Sequence, residues 1–253
     1  SNSRIKRLVQ LNQKSKLRRT EDVFLAEGVK MFLEAPREQL QEVYVSESFL
    51  EKCSCREHLE EVGYEVVSDS VFSKISDTCT PQGVLCVLKQ FHYNIEEMLR
   101  DKAPLFLLLE NIQDPGNLGT MLRTGEGAGV SGIIMSRDTV DLYNPKVIRS
   151  TMGSIYRVPF YYADDFAAAV HQVQQAGVSV YAAHLRGKNS YACQDYTKGT
   201  AFLIGHEGNG LREETAELAD CYIRIPMEGK VESLNAAVAS SILMYEAHRQ
   251  RAI

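Results

Sequence analysis

The chain has 253 residues, 44% of them hydrophobic and 24% charged, with a formal net charge of −5, the composition of an ordinary soluble protein with apolar material for one large or two modest cores. No apolar run approaches the roughly 20 residues of a membrane span, and the N-terminus lacks the apolar core of an export signal. The expectation is a cytoplasmic protein whose six cysteines are reduced thiols.

The charge is unevenly distributed. Residues 1–20 carry Arg4, Lys6, Arg7, Lys14, Lys16, Arg18 and Arg19 and no acid. Taking that +7 out of the total of −5 leaves −12 on the remainder. A basic block on an acidic body suits contact with a polyanion; on charge alone, a solvated helix face explains it equally well.

In chain order, Arg4–Asn12 and Lys16–Arg19 predict helices, Val23–Leu25 a short strand, and Gly28–Glu34 the next helix. Strands follow at Val43–Val45, Tyr64–Val67 and Val84–Leu88. Helices fill Ser46–Glu61 and Asp69–Ser76, each with a Ser or Asp placed to cap its start. Cys53 and Cys55 with His58 lack the paired C-x₂-C spacing of a zinc site, so the cysteines read as inert and no metal is expected. The polar stretch Gln90–Pro104 reads as a linker, which divides the chain into expected domains at 1–95 and 96–253.

The second unit opens on the buried strand Leu105–Leu109. A turn at Asn111–Gly116 leads to a helix over Asn117–Glu126, then strand Gly132–Met135. Asn144-Pro145 starts a helix with Asn as cap and Pro at the first position, ending near Gly153. Strand Val158–Tyr161, helix Asp165–Ala176 and strand Val178–Ala183 come next. Ala201–Ile204 and Cys221–Ile225 complete six strands alternating with helices, the signature of a wound parallel sheet. A last helix is predicted from Ser233 to His248, with Leu234, Ala237, Val238, Ile242 and Tyr245 forming its apolar stripe.

Three polar clusters follow strands: Asn117 with Arg123, then Glu207, then Ser233 with Asn235. Taken singly, Asn117 and Ser233 read as helix caps, Glu207 as a turn acid and Arg123 as a surface residue. Their shared position after strand ends is where open parallel sheets bind ligands. Gly205, Gly208 and Gly210 do not make G-x-G-x-x-G, and Gly116-Asn117-Leu118-Gly119 is no phosphate loop, so nicotinamide and nucleoside-triphosphate chemistry are unsupported. No acyl-transfer triad stands out.

These residues carry a resemblance. Asn111-x₅-Asn117-x-Gly119-x₃-Arg123, then Gly205-x-Glu207-Gly208-x-Gly210, then Ile225-Pro226-Met227 with Ser233-Leu234-Asn235 resemble the three motifs of the SpoU-type RNA ribose 2′-O-methyltransferases of the SPOUT superfamily. Asn144-Pro145-Lys146 to Gly153 with Arg157-Val158-Pro159 resembles the family's middle segment, and the match spans residues 105–250. The block ending in Phe24-Leu25-Ala26-Glu27-Gly28 resembles its substrate-binding domain. The resemblance implies a C-terminal parallel-sheet domain with a deep trefoil knot, a small N-terminal α/β domain with a ribosomal-protein-like RNA-binding fold, and a homodimer that builds the site at its interface.

It also implies the chemistry. A ribose 2′-hydroxyl attacks the methyl carbon of S-adenosyl-L-methionine, and the protein supplies alignment, proton handling and electrostatics. Arg123 would act at the reacting hydroxyl, as general base or as a charge clamp. Glu207 and Asn235 would orient it, Ser233 would bond the target nucleotide or its neighbours, and Asn117 would hold the site together. Ala183, His184, Gly205, Ile225, Met227 and Leu234 would enclose the cofactor, and Lys14, Lys16, Arg18 and Arg19 would bind RNA. His206 departs from the family, where a small or amide residue is usual; it reads as a solvated loop histidine, or as a group that tunes pH response or nucleotide choice. Ribosomal RNA is the expected substrate. Transfer RNA, or a non-catalytic RNA-binding or ribosome-assembly role, are the alternatives.

Overall fold

Leu105–Leu109 forms a strand whose five side chains are all fully buried. It lies inside a seven-stranded sheet in a computed structural model that describes residues 2–252. Ser1 and Ile253, the outer limits of the expected domains, lie outside the described residues. Naming strands in chain order, β1 is Val23–Glu27, β2 Leu40–Ser46, β3 Glu65–Val67 and β4 Val84–Lys89. Then come β5 Leu105–Leu109, β6 Gly132–Ser136, β7 Phe160–Ala163, β8 Ser179–Ala183, β9 Asn189–Ser190, β10 Thr200–Ile204 and β11 Cys221–Arg224.

Contacts divide the chain into two units. One runs through Phe91 and includes Asp141–Tyr156; the other holds His92–Val140 and the chain from Arg157 onward. Asp141–Tyr156 joins the first unit because its side chains find their partners there. The Tyr143 ring lies 4.8 Å from that of Phe24, and the Tyr156 hydroxyl donates to the Met31 carbonyl at 2.9 Å.

The first unit is a four-stranded sheet ordered β1-β4-β2-β3, antiparallel except for β2 with β3. Leu8, Leu11, Leu25, Tyr44, Phe72 and Leu85 are among the side chains of its core. The expected helix Ser46–Glu61 is two helices, Glu47–Lys52 and Arg56–Val62, because Cys53 leaves the helix in extended backbone. Ser46 caps the first of them, and Ser68 caps Asp69–Ile75.

The second unit is a parallel sheet ordered β7-β6-β5-β10-β8-β11-β9. It has one strand more than the sequence predicts: β9 is only two residues long, too short to carry a periodic signal. The third strand begins at Phe160 rather than Val158; Pro159, without an N–H, cannot donate into a ladder. The expected linker contains the helix Ile95–Met98, whose Ile95 and Met98 join the core with Phe106, Ile134, Val180 and Leu203. Each such buried side chain contributes about 1.5–3 kcal/mol. Strand β10 enters between β5 and β8 after both are formed in sequence, so its carboxyl end meets loops from widely separated parts of the chain. Among the described residues no helix is long and apolar enough to cross a membrane.

Candidate active site

The chain leaves β10 through a turn that requires its first glycine. A Cβ on Gly205 would lie 2.2 Å from the Leu211 amide nitrogen and 2.3 Å from the Gly210 carbonyl carbon, both main-chain atoms that cannot yield. The turn closes on itself, since His206 and Gly210 exchange main-chain hydrogen bonds of 3.1 and 2.8 Å, and Gly210 sits at φ +70°. Inside the turn the His206 Nδ1 accepts the amides of Gly208 at 2.9 Å and Asn209 at 3.2 Å.

Glu207 reaches across to the turn after β5. Its carboxylate accepts the main-chain amides of Gln113 (3.1 Å) and Asp114 (2.9 Å) and the side-chain amide of Asn117 (3.1 Å). Asn117 accepts in turn from Asn235 Nδ2 at 3.0 Å. Burial works against the charge on Glu207, but these donors outweigh it and hold the carboxyl below its ordinary range.

Neither Asn117 nor Ser233 is a helix cap. Asp114 caps Pro115–Ala128 by accepting the Asn117 amide, and Asn235 caps Ala236–Arg251 by accepting the amides of Ala237 and Val238. The last helix therefore starts at Ala236, and Ser233 is exposed in the irregular loop that precedes it.

A second anchor escaped the sequence reading. Glu110, 2% exposed, accepts from the Arg212 amide at 2.9 Å, from its guanidinium at 3.3 Å and from the Thr215 hydroxyl at 2.5 Å. Arg212 also pairs with Asp138. Together these residues tie the chain beyond the 205–210 turn to the ends of β5 and β6. The available signal was an acid placed directly after five apolar residues, Leu105–Leu109.

A cleft of about 240 Å³ opens at the carboxyl ends of β8, β10 and β11. Ala183, His184, Gly205, Ile225, Met227 and Leu234 all line it, as do Glu207 and Ser233 at its polar side. Burial and the neighbouring Arg186 push the His184 imidazole below its ordinary value, against the opposing pull of Glu213, and its ring stacks on Tyr222 with centroids 5.0 Å apart. Such a wall, apolar side chains with a glycine-lined main chain, suits a nucleoside: the apolar faces take the base and the close main chain supplies directional polar contacts. Gly187 and Gly205 both abut main chain where a Cβ would intrude. Among the described residues no group of three or more His, Cys, Asp or Glu is placed to hold a metal ion.

Arg123 stands apart. It is exposed on helix Pro115–Ala128, and its side chain makes no hydrogen bond or ion pair with another described residue. The resemblance implies that Glu207 and Asn235 orient it; in this chain both spend their hydrogen bonds on Asn117 and the main chain. Six residues separate Arg123 from Asn117, which at 3.6 per turn puts them on different faces of one helix.

The basic block of the first unit needs one correction. Arg18 is 3% exposed, donates to the carbonyls of Leu11 and Asn12 at the end of the first helix, and pairs with Asp141 at 2.6 Å. It satisfies carbonyls that a helix end leaves open and is not available to a phosphate. Arg4 pairs with Glu65, and Arg7 with Glu21 and Glu42. Lys14, Lys16 and Arg19 are exposed.

Comparison with known proteins gives matches over both units. The profile of the SpoU rRNA methylase family matches residues 104–245, and that of the MRM3-like substrate binding domain matches residues 2–86. The 23S rRNA (guanosine(2553)-2′-O)-methyltransferase RlmP of Bacillus subtilis is 34% identical over 180 residues, 71% of this chain and 70% of the relative. An AdoMet-bound rRNA methyltransferase from Sinorhizobium meliloti superposes with a TM-score of 0.83 at 31% identity, covering 97% of this chain and 94% of that one. The SpoU methyltransferase AviRb from Streptomyces viridochromogenes, in complex with AdoMet, superposes with a TM-score of 0.90 at 26% identity over 100% and 99% of the two chains.

Proposed function

This chain belongs to the SpoU rRNA methylase family, and we propose that it transfers a methyl group from S-adenosyl-L-methionine to a ribose 2′-hydroxyl of RNA. Ribosomal RNA is the substrate class carried by the names of its relatives. The observation that carries the reading is the cleft itself: Gly205, Ile225, Met227 and Leu234, from loops after β10 and β11, converge on one wall with Glu207 and Ser233 at its rim.

When bound, the cofactor supplies a methyl group already activated on a positive sulfur. Everything else falls to the chain. Apolar walls at Ile225, Met227 and Leu234 exclude water from the base, and Gly205 lets the main chain of residues 210–211 close the turn beside it. Glu207, held ionised by three donors, keeps the 205–210 turn locked to the turn after β5. Ser233 offers its hydroxyl to the incoming nucleotide. Arg123 stabilises charge developing on the ribose oxygen and on its phosphate; its guanidinium stays protonated and so serves as a clamp, with the proton passing to water.

Arg123 is exposed and outside the cleft of its own chain, which supports a homodimer in which a second copy completes each site. Sedimentation of a fully active monomer would exclude it. We also place a deep trefoil knot in this domain, supported by the late insertion of β10 between β5 and β8; tracing the chain in a crystal structure tests it. The first unit binds the RNA substrate through Lys14, Lys16 and Arg19. The six free cysteines are in keeping with a cytoplasmic location, which fractionation tests.

Two measurements decide the main reading. Calorimetry should show S-adenosyl-L-methionine binding without added metal. Incubation with ribosomal RNA and radiolabelled cofactor should place label on a ribose. Binding without any transfer, on ribosomal or transfer RNA, would favour a non-catalytic role.

A further inference from the structure

The cleft wall formed by residues 205–210 is only as well defined as the turn that makes it, and that turn is held from the inside by one side chain. Main-chain amides can only donate, so a ring nitrogen facing the amides of Gly208 at 2.9 Å and Asn209 at 3.2 Å must carry a lone pair. A neutral imidazole has one such nitrogen. The bonding therefore assigns the tautomer: His206 is unprotonated at Nδ1 and carries its proton on Nε2. The ring also packs beneath Gly208, whose Cβ position lies 3.5 Å from His206 Cε1, an ordinary contact.

We propose that His206 is a positioning residue of this active site, whose neutral imidazole braces the 206–210 turn and so shapes the cofactor wall. The inference rests on reading the cleft as the S-adenosyl-L-methionine site. Side-chain stereochemistry makes it specific. Nδ1 of histidine stands two bonds beyond Cβ, as does Oδ1 of asparagine. Asparagine can thus accept the amide two residues on, as in an Asx turn, with the same main-chain geometry. Leucine has similar bulk at that distance and no acceptor. Glutamine sets its acceptor one bond too far. The brace accordingly predicts an order of function, His close to Asn and both above Gln and Leu, that neither bulk nor polarity alone would produce.

The consequence lies in binding. Without the brace two main-chain amides lose their acceptor, while the outer bonds of His206 with Gly210 still close the turn, so it loosens without unfolding. Losing one or two such bonds should weaken cofactor affinity by about tenfold. The rate at saturating cofactor should change little, because His206 moves no proton in the reaction.

The test uses the full chain and has two independent arms. Long-range ¹⁵N–¹H NMR of the wild-type imidazoles, without cofactor, should show His206 protonated at Nε2 and bare at Nδ1; a proton on Nδ1 overturns the proposal. Calorimetric titration with S-adenosyl-L-methionine should give His206→Asn within about threefold of wild type and His206→Leu about tenfold weaker. If His206→Leu binds as tightly as wild type, the brace is wrong while the cleft stands. If the wild type does not bind at all, the cleft reading fails, and the NMR arm still decides whether His206 braces the turn.

Discussion

Asn235 donates from Nδ2 to Oδ1 of Asn117 across 3.0 Å, while its own Oδ1 accepts the first amides of the last helix. One side-chain amide thus starts that helix and fixes it to a residue 118 positions earlier. Asn117 passes the connection to Glu207, so three segments that the sequence holds far apart meet through two asparagines and one carboxylate.

Asn117→Ala should break both links at once and leave the partly buried Glu207 and the exposed Asn235 each one partner short. The expected loss is about 1–3 kcal/mol, a fall in Tm of a few degrees for a chain of this size, read by calorimetric melting. A melting curve identical to wild type would show that the loops are held by other contacts.

Glu207 gives the protein a defined acid sensitivity. Its carboxyl is held below the ordinary value, so its contribution is fully present above about pH 4.3, the unfolded range for Glu. It is lost as pH falls through the lower folded value. Stability measured by urea titration should decline over that window, and Glu207→Gln should be less stable at neutral pH but flatter across it. An equal decline in both proteins would assign the acid sensitivity to other carboxylates.

Arg123 offers the cleanest separation of fold from chemistry, because it is exposed and without a partner among the described residues. Arg123→Ala should melt like wild type and bind cofactor normally, yet lose about a hundredfold to a thousandfold in single-turnover methylation. Arg123→Lys should recover little, since an ammonium lacks the planar fork. Methylation by the Ala variant at the wild-type rate would remove Arg123 from the reaction.

In the basic block, exposed and buried cations should behave oppositely. Replacing Lys14, Lys16 and Arg19 with Ala should weaken RNA binding and lower its salt slope by about 0.7–0.9 per lost phosphate contact, with no change in melting. Arg18→Ala should instead destabilise by about 3 kcal/mol, because it takes the guanidinium from Asp141, which keeps only the Tyr143 amide, and from two helix-end carbonyls. A salt slope unmoved by the triple change would leave the block a solvated surface.

Gly205→Ala should damage the site by displacement, since the added Cβ meets main chain at 2.2 Å. Cofactor binding should disappear together with a measurable drop in Tm. A variant that melts as wild type and still binds would mean that the turn relaxes without opening the wall.

Local chemistry was enough to read most elements from the sequence. Leu105–Leu109 is apolar throughout because a parallel strand is buried on both faces, and Asn144-Pro145 marks a helix start in any context. The resemblance to the SpoU family, not local chemistry, singled out Gly205, Ile225, Met227 and Leu234, and all four line one cleft. Tertiary structure decided what identity and spacing cannot encode. Arg18 and Arg19 are adjacent and chemically identical, yet one is buried on Asp141 and the other faces solvent, because helical geometry turns successive side chains by about 100°. Asn117 and Ser233 both looked like caps, and each lost that role to a neighbour whose side chain reached the open amides first. The pairing of Glu207 with Asn117 exists only because β10 enters the sheet beside β5 and carries its turn to the end of a strand laid down almost a hundred residues earlier, and that of Asn117 with Asn235 because helix Ala236–Arg251 packs against helix Pro115–Ala128.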